Sequence, residues 1–114
     1  MISFVNRFHG HNSLSYVYKN GTAVRSHLMV IKMVNNPHRK HSRMAVVISK
    51  KVLKSAVSRN RVRRVIYEYL RAKLPHIKTA HDIVVIVSSS EILTMPHQDV
   101  AEQLNQLFSQ SLIK

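Results

Sequence analysis

The chain has 114 residues, 45% of them hydrophobic, which suits one globular domain with a core and argues against a disordered chain. Its 18 lysines and arginines against five acidic residues give a net charge of +13, which favours a polyanionic partner, nucleic acid before an anionic membrane surface. It contains no cysteine, no apolar run long enough to span a membrane and no recognisable secretory signal, so we expect no disulfide or thiolate metal site and a cytoplasmic location.

The charge is distributed unevenly along the chain. Residues 1–67 contain fourteen basic side chains and no carboxylate, whereas the remaining residues contain four basic and five acidic side chains. The two parts therefore carry +14 and −1. A surface that only needs solubility mixes both signs, so the removal of acids from the first part indicates binding to a phosphate backbone.

The first elements predicted along the chain are a helix and two strands. A short helix is expected at 12–21, with Asn12 as its N-cap and Gly21 as its stop, because apolar residues recur on one face. An apolar strand is expected at 28–34 and another at 43–49, separated by a basic turn-forming loop at 35–42. Antiparallel pairing of these two strands as a hairpin is the simplest arrangement.

The second half begins with a basic helix predicted from Ala56 to Lys73, with Ser55 as its N-cap. Its helical spacing predicts one buried stripe, formed by Val62, Val65, Ile66, Tyr69 and Leu70. The spacing places another group on the opposite face, namely Asn60, Arg64, Tyr67 and Arg71.

A continuous apolar run at 82–88 predicts a central strand buried on both faces, and a helix follows at 95–112 with Thr94 as its N-cap. The order α-β-β(-β)-α-β-α, with the bracketed strand optional, predicts an α+β fold: a single-domain α/β sandwich over residues 1–114.

The start of the basic helix is the strongest functional signal in the sequence. Ten lysines and arginines lie between positions 38 and 64, and we expect the 35–42 loop, the end of the second strand and the helix start to meet on one rim. Cations at a helix N-terminus oppose the helix dipole, so an external anion is the expected compensation. A solvated charged surface is the alternative, but a pair such as Arg64 with Glu68 accounts for only one arginine.

Neither metal binding nor catalysis by side chains is indicated. The eight histidines lack the cysteine or carboxylate partners that zinc sites use, and no phosphate-binding loop or HExxH motif is present. Asp82, Asp99 and Glu102 are interpreted as structural residues at the starts of a strand and a helix. Tyr18 marks a candidate ligand groove between the first helix and the sheet.

Three stretches together resemble the bacterial ribonuclease P protein component. "SRNRVRRVIYEYLR" at 58–71 is similar to the RNR signature of that family, and "RMAVVISKK" at 43–51 matches the strand and Ser-Lys-Lys that precede it. "LSYVYKNG" at 14–21 resembles the family's first helix and its glycine stop. The resemblance implies the protein subunit of a ribonucleoprotein that removes the 5′ leader of precursor tRNA, with the chemistry performed by the RNA subunit and its Mg²⁺.

The resemblance also implies two binding sites and a fold detail. The residues that correspond to the contact with the catalytic RNA are Arg59, Asn60, Arg61, Arg63, Arg64, Lys50, Lys51 and Lys54. The leader cleft corresponds to Leu14, Tyr18 and Lys32, although Leu14 stands where the family usually has an aromatic residue. A left-handed βαβ crossover around the basic helix is implied as well, and no membrane or obligate protein partner is expected. A stand-alone RNA-binding or ribosomal protein and a protein nuclease are the alternative functions.

Overall fold

A computed structural model describes residues 11–35, 42–73 and 80–110, without the side chains of 11–15. Three helices and four strands follow one another with a short 3-10 helix before the last helix. Their bounds are α1 His11–Asn20, β1 Thr22–Arg25, β2 Met29–Asn35, β3 Arg43–Ile48, α2 Ala56–Lys73, β4 His81–Val87, the 3-10 helix Ser90–Leu93 and α3 His97–Gln110. The predicted α+β sandwich is confirmed, and the optional strand is β1, which precedes β2.

The four strands form one sheet in the order β1-β2-β4-β3. β4 pairs antiparallel with β2 and parallel with β3, so the predicted hairpin between β2 and β3 is wrong. The physical reason lies in β4, most of whose side chains are buried. Between β2 and β3 its backbone forms hydrogen bonds along both edges, and the helices cover both of its faces. α2 therefore links two parallel neighbours, and the left-handed sense of this βαβ connection stays a prediction.

Helices cover both faces of the sheet. On one face α2 and α3 bury the main core, whose fully enclosed side chains include Ile31, Met44, Ile66, Ile83 and Leu104. On the other face α1 contributes Val17, which packs with Ala45 and Val84. This second layer is thinner and leaves Val34, Val47 and Ile86 only partly buried, so the α1 face retains an accessible surface beside the helix.

The ends of the helices match the sequence signals in part. The Ser55 hydroxyl accepts a hydrogen bond from the Ser58 N–H at 3.3 Å, which confirms it as the N-cap of α2. Gly21 directly follows the last residue of α1, as predicted, and a Cβ at this position would lie 2.6 Å from the Val17 carbonyl oxygen, so the close approach of the chain requires glycine. Asn12 lies inside α1 and not before it. Thr94 caps the C-terminus of the 3-10 helix, and the Pro96 carbonyl accepts hydrogen bonds from the Asp99 and Val100 N–H groups in the first turn of α3. Pro96 and not Thr94 therefore precedes the helix, so the predicted N-cap of α3 is wrong.

Tyr67 is buried, with 9% of its surface exposed, although the helical spacing places it on the outer face of α2. Its hydroxyl accepts a hydrogen bond from the Val46 N–H of the edge strand β3 at 3.3 Å. The predicted outer position of Tyr67 is therefore wrong. Where α2 packs beside the edge strand β3, more of the helix circumference is buried than the single row of residues that the helical spacing predicts. Of the described helices, none has the length and apolar character needed to cross a membrane.

Candidate functional site

The loop between β3 and α2 presents three lysines next to the basic helix. The Ser49 carbonyl accepts hydrogen bonds from the Val52 and Leu53 N–H groups, both at 3.1 Å, and thereby closes a tight turn. Leu53 is 5% exposed and anchors this turn in the core. Lys50, Lys51 and Lys54 are consequently exposed to solvent at the N-terminal end of α2.

Arg59 is the first arginine of α2 and is directed back to this loop. Its Nη1 donates hydrogen bonds to the carbonyl oxygens of Leu53 and Lys54, both at 2.9 Å. The side chain is partly buried, and its charge offsets the partial negative charge of two carbonyls that the turn leaves without intrahelical partners. Arg59 therefore fixes the lysine loop to the helix.

The remaining RNR-region residues lie along the outer surface of α2. Arg63 donates from Nη1 to Asn60 Oδ1 at 3.1 Å, so these two side chains orient each other. Arg61 and Arg64 are exposed and, within the described parts of the chain, make no hydrogen bond or ion pair. We use the term basic face for the exposed residues Lys50, Lys51, Lys54, Asn60, Arg61 and Arg64 together with the partly exposed Arg63.

Arg43 does not belong to the basic face. It forms a bidentate ion pair with the buried Asp82, with Nε to Oδ1 at 3.0 Å and Nη2 to Oδ2 at 2.8 Å. It lies at the start of β3, about 20 Å along the strand from Lys50, so the expectation that the whole basic segment meets on one rim is wrong for this residue. The histidines and cations of 36–41 lie outside the described residues.

The predicted leader cleft lies on the α1 face of the sheet. Lys32 Nζ donates to the Tyr18 carbonyl at 3.3 Å and lies 5.4 Å from the centre of the Tyr18 ring, so the structure brings these two residues together. Tyr18 is 38% exposed, and partial burial raises the pKa of its hydroxyl. Leu14 lies in α1, but its side chain is outside the described residues.

The floor of this cleft includes residues that the sequence did not single out. Val30, Ile86 and Val47 are paired across three strands, one register row from Lys32, and all three are partly exposed. From Ile83 to Val87 every residue of β4 is apolar, so the sequence does not show which of these alternating side chains lie on the α1 face, where the sheet is only partly covered. The strand register supplies that information, and it gives the cleft an aliphatic floor beside Tyr18.

Three of the described carboxylates, Asp82, Glu68 and Glu91, lie beside basic side chains. Glu68 accepts a hydrogen bond from Arg71 Nη2 at 2.9 Å, which holds the pKa of its carboxyl below the usual value; its partner is thus Arg71 and not Arg64. Glu91 lies 3.5 Å from His27 at the surface. In the ranges that the structure describes, no three histidines or carboxylates are grouped so that they could hold a metal ion.

Comparisons with known proteins agree on one family. A model of the family described as Ribonuclease P matches residues 5–111. The ribonuclease P protein component of Prochlorococcus marinus strain MIT 9312 is 31% identical over 121 residues, covering 95% of this chain and 94% of that protein. The corresponding protein of Coxiella burnetii strain Dugway is 42% identical over 71 residues, covering 62% of this chain and 57% of its own length.

Solved structures agree as well. The RNase P protein of Staphylococcus aureus superposes with a TM-score of 0.85 at 27% identity, covering 95% of this chain and 96% of that one. The RNase P protein of Thermotoga maritima superposes with a TM-score of 0.75 at 26% identity, covering 86% of this chain and 90% of its own.

Proposed function

This chain belongs to the ribonuclease P protein family, and on that premise we propose that it binds the catalytic RNA subunit through the basic face and the 5′ leader of precursor tRNA through the α1 cleft. The observation that carries the proposal is the pair Arg61 and Arg64. Both are exposed on one face of α2 and neither has a partner among the described side chains. A phosphate backbone supplies the negative charge that this face lacks.

In this proposal the protein contributes affinity and positioning, while the RNA subunit and its Mg²⁺ contribute the chemistry. Among the described carboxylates, Asp82 is paired with Arg43 and Glu68 with Arg71, and no three of the described acidic or histidine side chains are grouped so that they could hold a metal ion. The cations of the basic face neutralise phosphates and release counterions, which strengthens RNA binding at low salt. We therefore assign Mg²⁺ to the RNA subunit and the substrate.

The α1 cleft suits an extended single strand. Tyr18 offers a partly exposed ring for a base, and the Lys32 ammonium beside it offers a charge for a phosphate. The aliphatic row of Val30, Ile86 and Val47 accepts ribose and base surfaces without hydrogen-bond readout. Contact of this kind tolerates different leader sequences.

Reconstitution with the RNA subunit of the same organism tests the proposal. The chain alone should not cleave precursor tRNA, and its addition should restore cleavage by the RNA subunit at low salt and low Mg²⁺, where the RNA alone is slow. Robust cleavage by the protein without RNA would point to a protein nuclease. Cofractionation with ribosomal subunits and no effect on leader removal would favour a ribosomal role.

A further inference from the structure

An open groove of about 360 Å³ lies between the middle of α2 and the first turns of α3. Its lining residues are Arg64, Val65, Glu68, Tyr69, His97 and Ala101. A narrower cleft continues from it toward Arg61 and shares Val65 and His97 with it. The floor of this groove has no role in the leader cleft or in the phosphate contacts proposed above.

The groove exists because α2 and α3 make close contact only farther along their length. There the Tyr69 hydroxyl hydrogen-bonds the Asn105 side chain, and the Tyr69 and Phe108 rings lie 6.0 Å apart. Nearer the start of α3 the small Ala101 lies beside Val65 and leaves space unfilled. The groove is open to solvent, and its volume of about 360 Å³ falls within the size range of small-ligand sites.

The groove combines an apolar floor with a cationic mouth. Val65 and Ala101 supply aliphatic surface, and Arg61 and Arg64 project from the adjoining face of α2. Glu68 is the carboxylate that lines it, and its charge is compensated by Arg71 at 2.9 Å. The occupant that matches this chemistry has a flat, largely apolar body and an attached anion.

We propose that the groove receives one unstacked nucleotide of the RNA subunit, with its base against Val65 and Ala101 and its phosphate between Arg61 and Arg64. The inference rests on the proposed function for the source of the nucleotide. RNA recognition commonly uses bases that leave the stack and lie against protein side chains, and a guanidinium matches two phosphate oxygens at once. Arg61 and Arg64, which we propose to bind the RNA phosphates, border the groove. One nucleotide can therefore contact these arginines through its phosphate and the groove through its base.

Nucleoside monophosphates probe the groove without the RNA subunit. In titrations of the labelled full chain followed by NMR, we expect saturable shifts of the Val65 and Ala101 amide signals, which inorganic phosphate does not reproduce. Ala101→Leu should abolish these shifts, and Ala101→Met, with a more flexible side chain, provides a second filling variant. Ala72→Leu is the matched control, because Ala72 is exposed in the last turn of α2 and should leave binding unchanged.

The same variants then separate this inference from the proposed function. With the RNA subunit, Ala101→Leu should weaken binding roughly tenfold at an unchanged salt slope, because a base contact is lost and no charge is removed. Equal shifts with phosphate and nucleotides, or shifts that persist in both filling variants, would overturn the groove site. If nucleotides bind but the chain does not restore cleavage, the proposed function fails, and with it the RNA subunit as the source of the nucleotide, while the groove remains a nucleotide site. If cleavage is restored without nucleotide binding, the groove site alone fails.

Discussion

The four arginines between positions 59 and 64 of α2 differ in the contacts that they make. Arg59 is used inside the protein, where it joins two loop carbonyls, and Arg63 is oriented by Asn60. Arg61 and Arg64 keep all their donors available among the described residues. The sequence predicted the cluster because charge is visible in composition, but the division of roles depends on where the preceding turn places its carbonyls.

Alanine substitutions should distinguish these roles. Arg59→Ala should lower the free energy of unfolding by about 1–3 kcal/mol, because two carbonyls lose a charged donor, and Arg59→Lys should be milder. Arg61→Ala should leave stability within about 0.5 kcal/mol and should lower the salt slope of RNA binding by about one for each lost phosphate contact. Urea denaturation and binding at several salt concentrations measure the two quantities. Wild-type stability for Arg59→Ala would show that its carbonyl contacts contribute nothing.

For the α1 cleft, the family resemblance named residues that local sequence patterns do not connect. Tyr18 and Lys32 were named from the family resemblance, and the structure brings them together, because α1 crosses the face of β2 that carries Lys32. Val30, Ile86 and Val47 were missed because their row exists only after β4 enters the sheet between β2 and β3. Strand register is a long-range property that hydrophobic periodicity does not contain.

α2 also protects the edge of the sheet that is formed by β3. β3 is an edge strand, and unpaired backbone groups on such strands invite pairing with other chains. The Tyr67 hydroxyl satisfies the Val46 N–H at that edge while its ring packs in the core. One side chain therefore joins the basic helix to the strand that precedes it.

Tyr67→Phe tests this contact with almost no change in volume. The variant leaves the buried Val46 N–H without its acceptor, and we expect a loss of about 1–3 kcal/mol in the free energy of unfolding. Tyr69→Phe is the matched control: it removes an exposed hydroxyl contact from the same helix and should cost less than about 1 kcal/mol. Chemical denaturation of both variants gives the comparison. Equal losses of unfolding free energy in the two variants would mean that the buried contact with Val46 stabilises the fold no more than the exposed contact of Tyr69.

The sequence predicted α2 from about Ala56 to Lys73, in agreement with the structure, whereas it did not predict the strand pairing. Ala56 to Lys73 carries its own signals, with a capping serine before it and an apolar stripe along it. The hairpin prediction failed because sequential strands often pair but do not have to, and nothing local in β2 or β3 excludes a strand between them. The buried run of β4 was correctly assigned to the centre of the sheet, and that assignment already conflicted with the hairpin.

For the whole molecule, the charge that favours RNA binding should destabilise the free protein. A net charge of +13 on 114 residues creates self-repulsion in the compact state, which dissolved salt screens. The same salt weakens the complex, because counterions compete for the phosphates. Stability of the free chain and affinity for RNA should therefore respond to salt in opposite directions.

Thermal unfolding of the free protein between about 50 mM and about 500 mM NaCl tests this opposition, since the range of electrostatic interactions shortens severalfold across it. We expect the Tm to rise by a few degrees as repulsion is screened. The double variant Arg61→Gln with Arg64→Gln should be more stable than the wild type at low salt and should approach it at high salt, because two repelling charges without described partners have been removed. Ser109→Gln, at an exposed site in the last turn of α3, controls for the substitution itself. A Tm that is independent of salt, or a double variant less stable than the wild type at low salt, would show that these arginines are compensated within the protein and do not require the RNA for their charge balance.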